Sequence, residues 1–365
     1  MSATPEATKR FSERMKPVTA TGHFREQQGL TMSSIGLGTY LGNADAATDE
    51  NYRKAIVRSV EKGVNVFDTA INYRFQRSER SIGQALRDLT ESGRATRDEI
   101  VIATKAGFIS FDGEMPRNPR EYFMQNFVHP GIIGSADVVA GSHCMTPRYL
   151  EHQIDQSLRN LGVNTIEIFY IHNPETQLSE IERDEFYKRL RVAFGFLEGA
   201  VSSGKIRMYG TATWNAYRVP PGSPDFISIE NVVQCARDVA GDNHHFRVVQ
   251  LPYNLAMTEA FSLANQTLNG KLLTMLDASG ELGLTVMASA SLCQNRLSRN
   301  QRMFLSEHMP GLSTDSQRAI QFVRSTPGIA VSLVGMSQVP HVDENLAVAA
   351  VPPALEKIAE LFNAS

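Results

Sequence analysis

Cysteine is scarce in this sequence, with three among 365 residues. Cys144, Cys235 and Cys293 are an odd number without CxxC spacing, which argues against a disulfide framework and against a zinc site. The pattern suits a reducing compartment. We therefore expect no structural metal.

Long apolar runs and clusters of basic residues are also missing. No stretch approaches the roughly 18 uninterrupted apolar residues of a membrane span, and the N-terminal MSATPEATKRFSERMKP has no apolar signal-peptide core. The formal net charge is −3, and the basic residues are scattered. We expect no nucleic-acid partner and no membrane association, and a cytoplasmic location follows by default.

The remaining composition is that of a globular protein with material for a large core, since 42% of residues are hydrophobic and 21% are charged. Residues 1–16 form a polar N-terminal tail in this interpretation. Residues 17–365 contain no Pro/Gly/Ser linker long enough to separate domains, so we predict a single domain there.

Short apolar runs alternate with amphipathic segments along the chain, which is typical of βα units. The predicted strands are 35–39, 64–67, 100–104, 166–171, 206–210, 247–251, 283–288 and 329–334. The predicted helices are 49–62, 78–90, 147–160, 184–202, 228–240, 270–279, 314–325 and 338–349. Eight such pairs predict an α/β fold, a closed (β/α)8 TIM barrel with long loops after strands 3, 5 and 7. A Rossmann sheet is disfavoured because GLGTYLG only partly matches GxGxxG and opens no helix.

The long loops, 106–146, 211–227 and 289–312, follow strands at the end of a barrel where active sites form. The first of them has two interpretations. As a lid over substrate it would supply His143 or Phe127. As an insertion it would pack against the barrel exterior or a second subunit.

Polar residues with chemical potential follow three successive strands. Asp68 and Tyr73 lie in VNVFDTAINYRFQRSERSIGQAL, Lys105 ends VIATK, and His172 ends IEIFYIH. A tyrosine, with a free pKa near 10, is a poor acid or base at neutral pH. A buried ammonium beside it lowers that pKa, a carboxylate keeps the lysine charged, and a histidine orients the substrate oxygen. Each residue alone could be a cap, a packing group or a solvated charge, but together they predict proton transfer.

The sequence resembles the aldo-keto reductase family from about residue 33 to 350. Seven segments look like successive family motifs in order: NVFDTAINY, SERSIGQAL, IATKAG, SLRNLGVNTIEIFYIHNPE, GKIRMYGTATWN, VVQLPYN and GMSQVPHVDENL. The resemblance implies a catalytic tetrad of Asp68, Tyr73, Lys105 and His172. Tyr73 would give a proton to a carbonyl oxygen while hydride arrives from NADP(H), with NAD(H) as the alternative cofactor.

The resemblance also implies where cofactor and substrate bind. The implied cofactor positions are Thr39, Asp68, Thr213, Gln250, Ser289, Ser291, Leu292, Gln294, Arg296, Gly335, Ser337, Gln338, His341, Glu344 and Asn345. The implied substrate positions are Tyr40 and Trp214. Three departures stand out: Ala212 and Thr213 replace a Ser-Asn pair, Ser289 replaces a stacking tyrosine, and His341 replaces an arginine for the 2′-phosphate.

The expected function is thus NAD(P)H-dependent reduction of an aldehyde or ketone to an alcohol, or the reverse reaction. The expected partner is a small-molecule carbonyl or alcohol, and oligomeric state stays open. The alternative is a nucleotide-binding regulatory or redox-sensing protein of the same fold with little turnover, which the departures motivate.

Overall fold

The computed structural model describes residues 2–134, 136–292, 309, 311–355 and 358. Short apolar runs bounded by polar residues form the strands of the barrel, and their β-branched and aromatic residues favour extended backbone. The strands are β1 (Phe24–Gln27), β2 (Leu30–Ser33), β3 (Ile35–Gly38), β4 (Val66–Asp68), β5 (Val101–Ala106), β6 (Ile166–His172), β7 (Ile206–Ala212), β8 (Phe246–Pro252), β9 (Ala264–Leu268), β10 (Lys271–Thr274), β11 (Thr285–Ser289) and β12 (Ile329–Gly335).

Eight of these strands close into a barrel in the order β11-β12-β3-β4-β5-β6-β7-β8, and every neighbouring pair is parallel. The predicted (β/α)8 barrel is therefore confirmed, with each predicted strand within two residues of the observed one. The α-helices in the described residues are Pro5–Met15, Ala46–Glu61, Arg77–Glu91, Pro119–Phe123, Pro147–Leu161, Arg183–Ser202, Ile229–Ala240, Glu259–Ser262, Met275–Glu281, Asp315–Ser325 and Val339–Asn345.

The predicted helix 270–279 is wrong in its first half. β9 and β10 pair as an antiparallel hairpin, and helix Met275–Glu281 begins only after it. Asn269 and Gly270 form the turn with φ of 50° and 78°. An Asn-Gly pair with two positive φ angles suits the tight turn that matches the twist of a hairpin.

The predicted polar N-terminal tail, residues 1–16, contains a helix, Pro5–Met15, that packs on the barrel. Thr4 caps it by accepting from the Ala7 amide, and Phe11 is fully buried. Arg14 forms a salt bridge to Glu99 at 2.7 Å. The apolar face and this ion pair hold the segment against the domain.

Side chains along each barrel strand alternate between the interior and the surrounding helices. Val66 belongs to the interior cluster and Phe67 to the outer one, so Asp68 points inward. Leu30 and Met32 of the β1–β2 hairpin join the same interior cluster. The hairpin precedes β3 and therefore covers the N-terminal end of the barrel, which leaves the C-terminal end for a site.

Among the described residues, no helix combines the length and apolar character needed to cross a membrane.

Candidate active site

A buried ion pair lies inside the barrel near the C-terminal strand ends. Lys105 is fully buried, and its Nζ donates to Asp68 Oδ1 and to the Thr69 carbonyl, both at 2.7 Å. Gln250 Nε2, from the opposite side of the barrel, donates to Asp68 Oδ2 at 2.8 Å. Burial lowers the pKa of Lys105, and Asp68 opposes that shift. Both carboxylate oxygens thus have donors, which fixes the pair in place.

Tyr73 lies directly beside this pair. The Lys105 Nζ is 4.9 Å from the centroid of the Tyr73 ring. The rings of Tyr40 and His172 pack edge-on against Tyr73, with centroids at 5.0 and 5.8 Å. The loop after β4 therefore brings Tyr73 back over the strand end that carries Asp68.

The pKa of Tyr73 differs in direction from the sequence-based expectation. Burial raises it well above the usual value, and Asp68 and Tyr40 add to the rise. The expectation that Lys105 lowers this pKa is wrong for this structure, because removal from water disfavours the phenolate more strongly. Tyr73 consequently holds its proton at neutral pH, which suits a proton donor.

His172, the last residue of β6, is also held neutral. Burial, followed by the charge of Lys105 and by His143, lowers the pKa of His172 well below its usual value. Its Nδ1 is buried and has no hydrogen-bond partner among the described residues. A neutral imidazole with an unused nitrogen can bind a substrate oxygen. The four residues predicted from the strand ends thus lie in one cluster.

The long loop after β5 contacts His172 through His143 and Phe108. His143 is fully buried, its Nε2 lies 2.8 Å from the His172 carbonyl, and Gln177 Nε2 lies 2.9 Å from its Nδ1. Because the carbonyl only accepts, Nε2 carries the proton and Nδ1 accepts from Gln177. The ring of Phe108 lies between both histidines, at 5.3 and 5.2 Å.

The close approach of these groups explains the glycine that begins this loop. A Cβ on Gly107 would lie 2.7 Å from both His143 Nε2 and the His172 carbonyl oxygen, so a larger residue would displace them. His143 is therefore not a lid residue. Phe127 is buried as well and packs on Tyr149 at 5.8 Å, away from a lid position.

Sequence reasoning missed Glu175, which connects the loops after β6 and β7. Its Oε1 accepts from the main-chain amides of Trp214, at 2.6 Å, and Asn215, at 3.2 Å. Its Oε2 is buried without a hydrogen-bond partner in the part of the chain that the structure describes. Burial raises the pKa of Glu175 to about 7. The acidic residue in the HNPE segment was the only signal available.

We expect Glu175→Gln to change how stability depends on pH. An acid whose folded pKa is raised stabilises the protein below its unfolded pKa, near 4.3, and this contribution is lost as pH rises through about 7. The glutamine keeps an acceptor for Trp214 but does not ionise. The free energy of unfolding of the variant, relative to the unmodified protein, should therefore rise by on the order of 3 kcal/mol between pH 5 and 8.

Urea unfolding of both proteins at four pH values measures this difference, in which the titration of all other groups cancels. A difference that does not change with pH would mean that Glu175 titrates at an ordinary pKa.

The cofactor positions near the ion pair differ in whether their polar groups are free to bond a ligand. Thr213 Oγ1 is buried and has no partner among the described residues, whereas the Thr39 hydroxyl donates to the Asp68 carbonyl at 3.3 Å. Ser289 is half-buried at the end of β11. Gln250 uses its amide nitrogen on Asp68. Thr213 thus has a buried hydroxyl left for a ligand.

The loop after β11 is only partly described. The Ser291 hydroxyl donates to the Ala288 carbonyl at 3.3 Å and lies 3.0 Å from the Ser332 hydroxyl, so its bonds are internal. Leu292 packs partly buried against the core. Gln294 and Arg296, predicted to hold the diphosphate, lie outside the described residues.

The positions after β12 are mostly accessible. Gly335, Gln338, His341 and Glu344 are exposed and Ser337 is half-buried, while Asn345 is buried. Two cationic side chains reach this region: Arg58 of helix Ala46–Glu61 and Lys62, which directly follows that helix. Both pair with Asp343, Arg58 at 2.8 Å and Lys62 at 3.4 Å. The segment therefore offers donors with little unpaired positive charge.

The two predicted substrate residues lie at the surface near the cluster. Tyr40 is 64% exposed although its ring touches Tyr73, and Trp214 is 48% exposed beside Thr213. Large aromatic side chains with this exposure are suited to contact a ligand.

No cluster of three or more His, Cys, Asp or Glu side chains suited to a metal occurs in the described ranges. Cys144 and Cys235 are buried and free, and Cys293 lies outside the described residues.

Comparison with known proteins shows the family of this chain. The model of the Aldo/keto reductase family matches residues 34–363, and the chain belongs to this family. The protein named "Putative voltage-gated potassium channel subunit beta" of Schizosaccharomyces pombe is 22% identical, over 95% of each chain. The NADH-specific methylglyoxal reductase of Escherichia coli is 26% identical over 51% of this chain and 50% of its own length. The alignment thus spans about half of that relative.

Among solved structures, an aldo/keto reductase from Klebsiella pneumoniae in complex with NADP and acetate superposes with a TM-score of 0.61. It is 19% identical and the match covers 94% of this chain and 95% of the other. This likeness establishes the fold.

Proposed function

We propose that this protein reduces an aldehyde or ketone to an alcohol, or catalyses the reverse reaction, with Tyr73 as the general acid or base. The observation that carries the proposal is the contact of protonated Tyr73 with Lys105 and neutral His172 at the open end of the barrel. His172 would orient the substrate oxygen, and Tyr73 would donate to it. The ammonium of Lys105 would stabilise the phenolate that remains.

A nicotinamide dinucleotide fits the residues at this end of the barrel and would supply the hydride. Thr213 Oγ1, which is buried without a partner among the described residues, can bond the carboxamide. The name of the E. coli relative specifies NADH, and the Klebsiella structure contains NADP. We propose NADP(H) first, with NAD(H) as the alternative.

A second candidate is a regulatory or redox-sensing protein that binds the cofactor but turns over slowly. Ala212, Ser289 and His341 lack the groups that the family commonly offers to the cofactor, and the S. pombe relative is named as a channel subunit. Bound NADPH mixed with a panel of aldehydes, ketones and sugars in single-turnover experiments separates the two. Cofactor binding without accelerated oxidation by any carbonyl would contradict the reductase.

Preference for NADPH over NADH is expected to be weak in the unmodified protein. The side chains of Ser337 and His341 supply fewer hydrogen bonds to a 2′-phosphate than the paired donors of an arginine do. His341→Arg should strengthen NADPH binding by on the order of 1–3 kcal/mol and leave NADH binding unchanged. Quenching of the fluorescence of Trp214, the one tryptophan in the chain, measures both affinities.

His341→Gln serves as the matched control, since it changes the side chain without adding charge. A large NADPH preference in the unmodified protein would show that another residue, such as Arg296 or Arg299, holds the phosphate.

A further inference from the structure

The main chain directly after Tyr73 is in an unusual conformation. Arg74, Phe75 and Gln76 have φ angles of 50°, 57° and 69°. Residues with a side chain rarely adopt this left-handed region, because Cβ crowds the following carbonyl. Three in succession persist only where the surrounding structure holds them. The left-handed turn therefore needs anchors.

Phe75 and Gln76 anchor the turn to the loop after β5 and to helix Pro147–Leu161. The Phe75 carbonyl accepts from the Gly113 amide at 2.9 Å. Gln76 Nε2 donates to the Phe111 carbonyl at 3.2 Å, and its Oε1 accepts from Asn160 at 3.0 Å.

Arg74 anchors the turn to the loop after β3. Its side chain is 2% exposed and pairs with Asp49 at 2.5 Å. Its Nε donates to the Asn43 carbonyl at 2.8 Å, and one terminal nitrogen reaches the Asp45 carbonyl at 3.4 Å. A guanidinium can bond several oxygens in fixed directions, as a lysine cannot.

The same guanidinium also lies over the ring of Tyr52, 5.3 Å from its centroid. The Tyr52 hydroxyl donates to the Leu41 carbonyl at 2.7 Å. The carbonyls of residues 41, 43 and 45 are thus held by Arg74 and its stacking partner. This segment directly follows Tyr40, whose exposed ring packs on Tyr73.

We propose that Arg74 is a positioning residue that fixes the Tyr40 ring against Tyr73 and so sets one wall of the carbonyl site. Among the described residues, its side chain bonds Asn43, Asp45 and Asp49 and lies over Tyr52, which excludes the ion pair and the described positions implied for the cofactor. The role rests on the proposed reductase function. In this role Arg74 determines the affinity for the carbonyl substrate. Proton transfer and cofactor binding do not depend on Arg74.

The matched comparison is Arg74→Met against Arg77→Met. Arg77 pairs with the other oxygen of Asp49 at 2.7 Å, but within the described part of the chain its side chain donates to the Gly113 carbonyl and not to those of residues 43 and 45. Arg74→Met should raise KM for an aldehyde by about 10- to 100-fold, with kcat and NADPH affinity nearly unchanged. Arg77→Met should leave KM near that of the unmodified protein. Arg74→Lys keeps the positive charge but loses the planar guanidinium with its several donors, and it should give an intermediate KM. This variant replaces Arg74→Met in the comparison if Arg74→Met fails to fold.

A double-mutant cycle shows whether Arg74 acts through Tyr40. If it does, Arg74→Met adds little to the KM effect of Tyr40→Ala. Additive effects, or equal KM values for Arg74→Met and Arg77→Met, would overturn the role. Absence of turnover in the unmodified protein would instead overturn the reductase proposal, and this role with it.

Discussion

Replacing Tyr73 with phenylalanine is expected to lower kcat by about 10²- to 10⁴-fold, the usual contribution of a positioned acid or base. The substitution removes one hydroxyl and keeps the ring that packs on Tyr40 and His172. NADPH affinity should stay within about twofold, because the hydroxyl acts in the transition state and not in cofactor binding. Steady-state rates with an aldehyde and Trp214 quenching by NADPH measure the two quantities.

Tyr40→Phe is the control for this prediction, since it removes a neighbouring tyrosine hydroxyl from an exposed position in the same cluster. Its kcat should be close to that of the unmodified protein. Near-normal kcat in the Tyr73 variant would assign the proton to another group and would remove the role proposed for Tyr73.

The barrel could be predicted from sequence because each strand is a short apolar run that ends at polar residues. Asp68 and His172 also follow from this pattern, since the ends of parallel strands meet at one edge. The inward direction of Asp68 needs only the two-residue period of a strand. These features depend on local sequence.

Features that depend on distant contacts could not be predicted. The burial of His143 follows from its bond to the His172 carbonyl, which lies 29 residues away. The helix predicted at 270–279 is wrong in its first half, because the Asn269-Gly270 turn closes a hairpin there. Three left-handed residues without glycine leave no sequence signal, since their anchors lie in other loops.

The direction of the Tyr73 pKa also could not be read from residue types. The sequence supplies the ammonium of Lys105, but the degree of burial decides whether that charge or the loss of water dominates. Burial depends on the residues that pack around Tyr73, among them Tyr40 from the loop after β3 and His172 from β6. The sequence predicted a lowered pKa for Tyr73. In the structure its pKa is raised, so that Tyr73 keeps the proton that a donor needs.

The second large effect is expected for Lys105→Met, which should abolish turnover and lower the free energy of unfolding by about 3–5 kcal/mol. Lys105 is fully buried, and its removal leaves the carboxylate of Asp68 inside the barrel, where Gln250 is the one side-chain donor left to it among the described residues. An unpaired buried charge costs more than the lost ion pair contributes. Urea unfolding and single-turnover oxidation of NADPH measure the two losses.

The double variant Asp68→Asn/Lys105→Met separates these two effects. Removing the carboxylate as well should restore most of the stability, because no buried charge is left without a partner. Turnover should stay absent, since the phenolate of Tyr73 would still lack the positive charge now 4.9 Å from its ring. Recovery of stability without recovery of turnover is thus the expected result. Measurable turnover in either variant would mean that Lys105 serves the fold alone and that another group stabilises the phenolate.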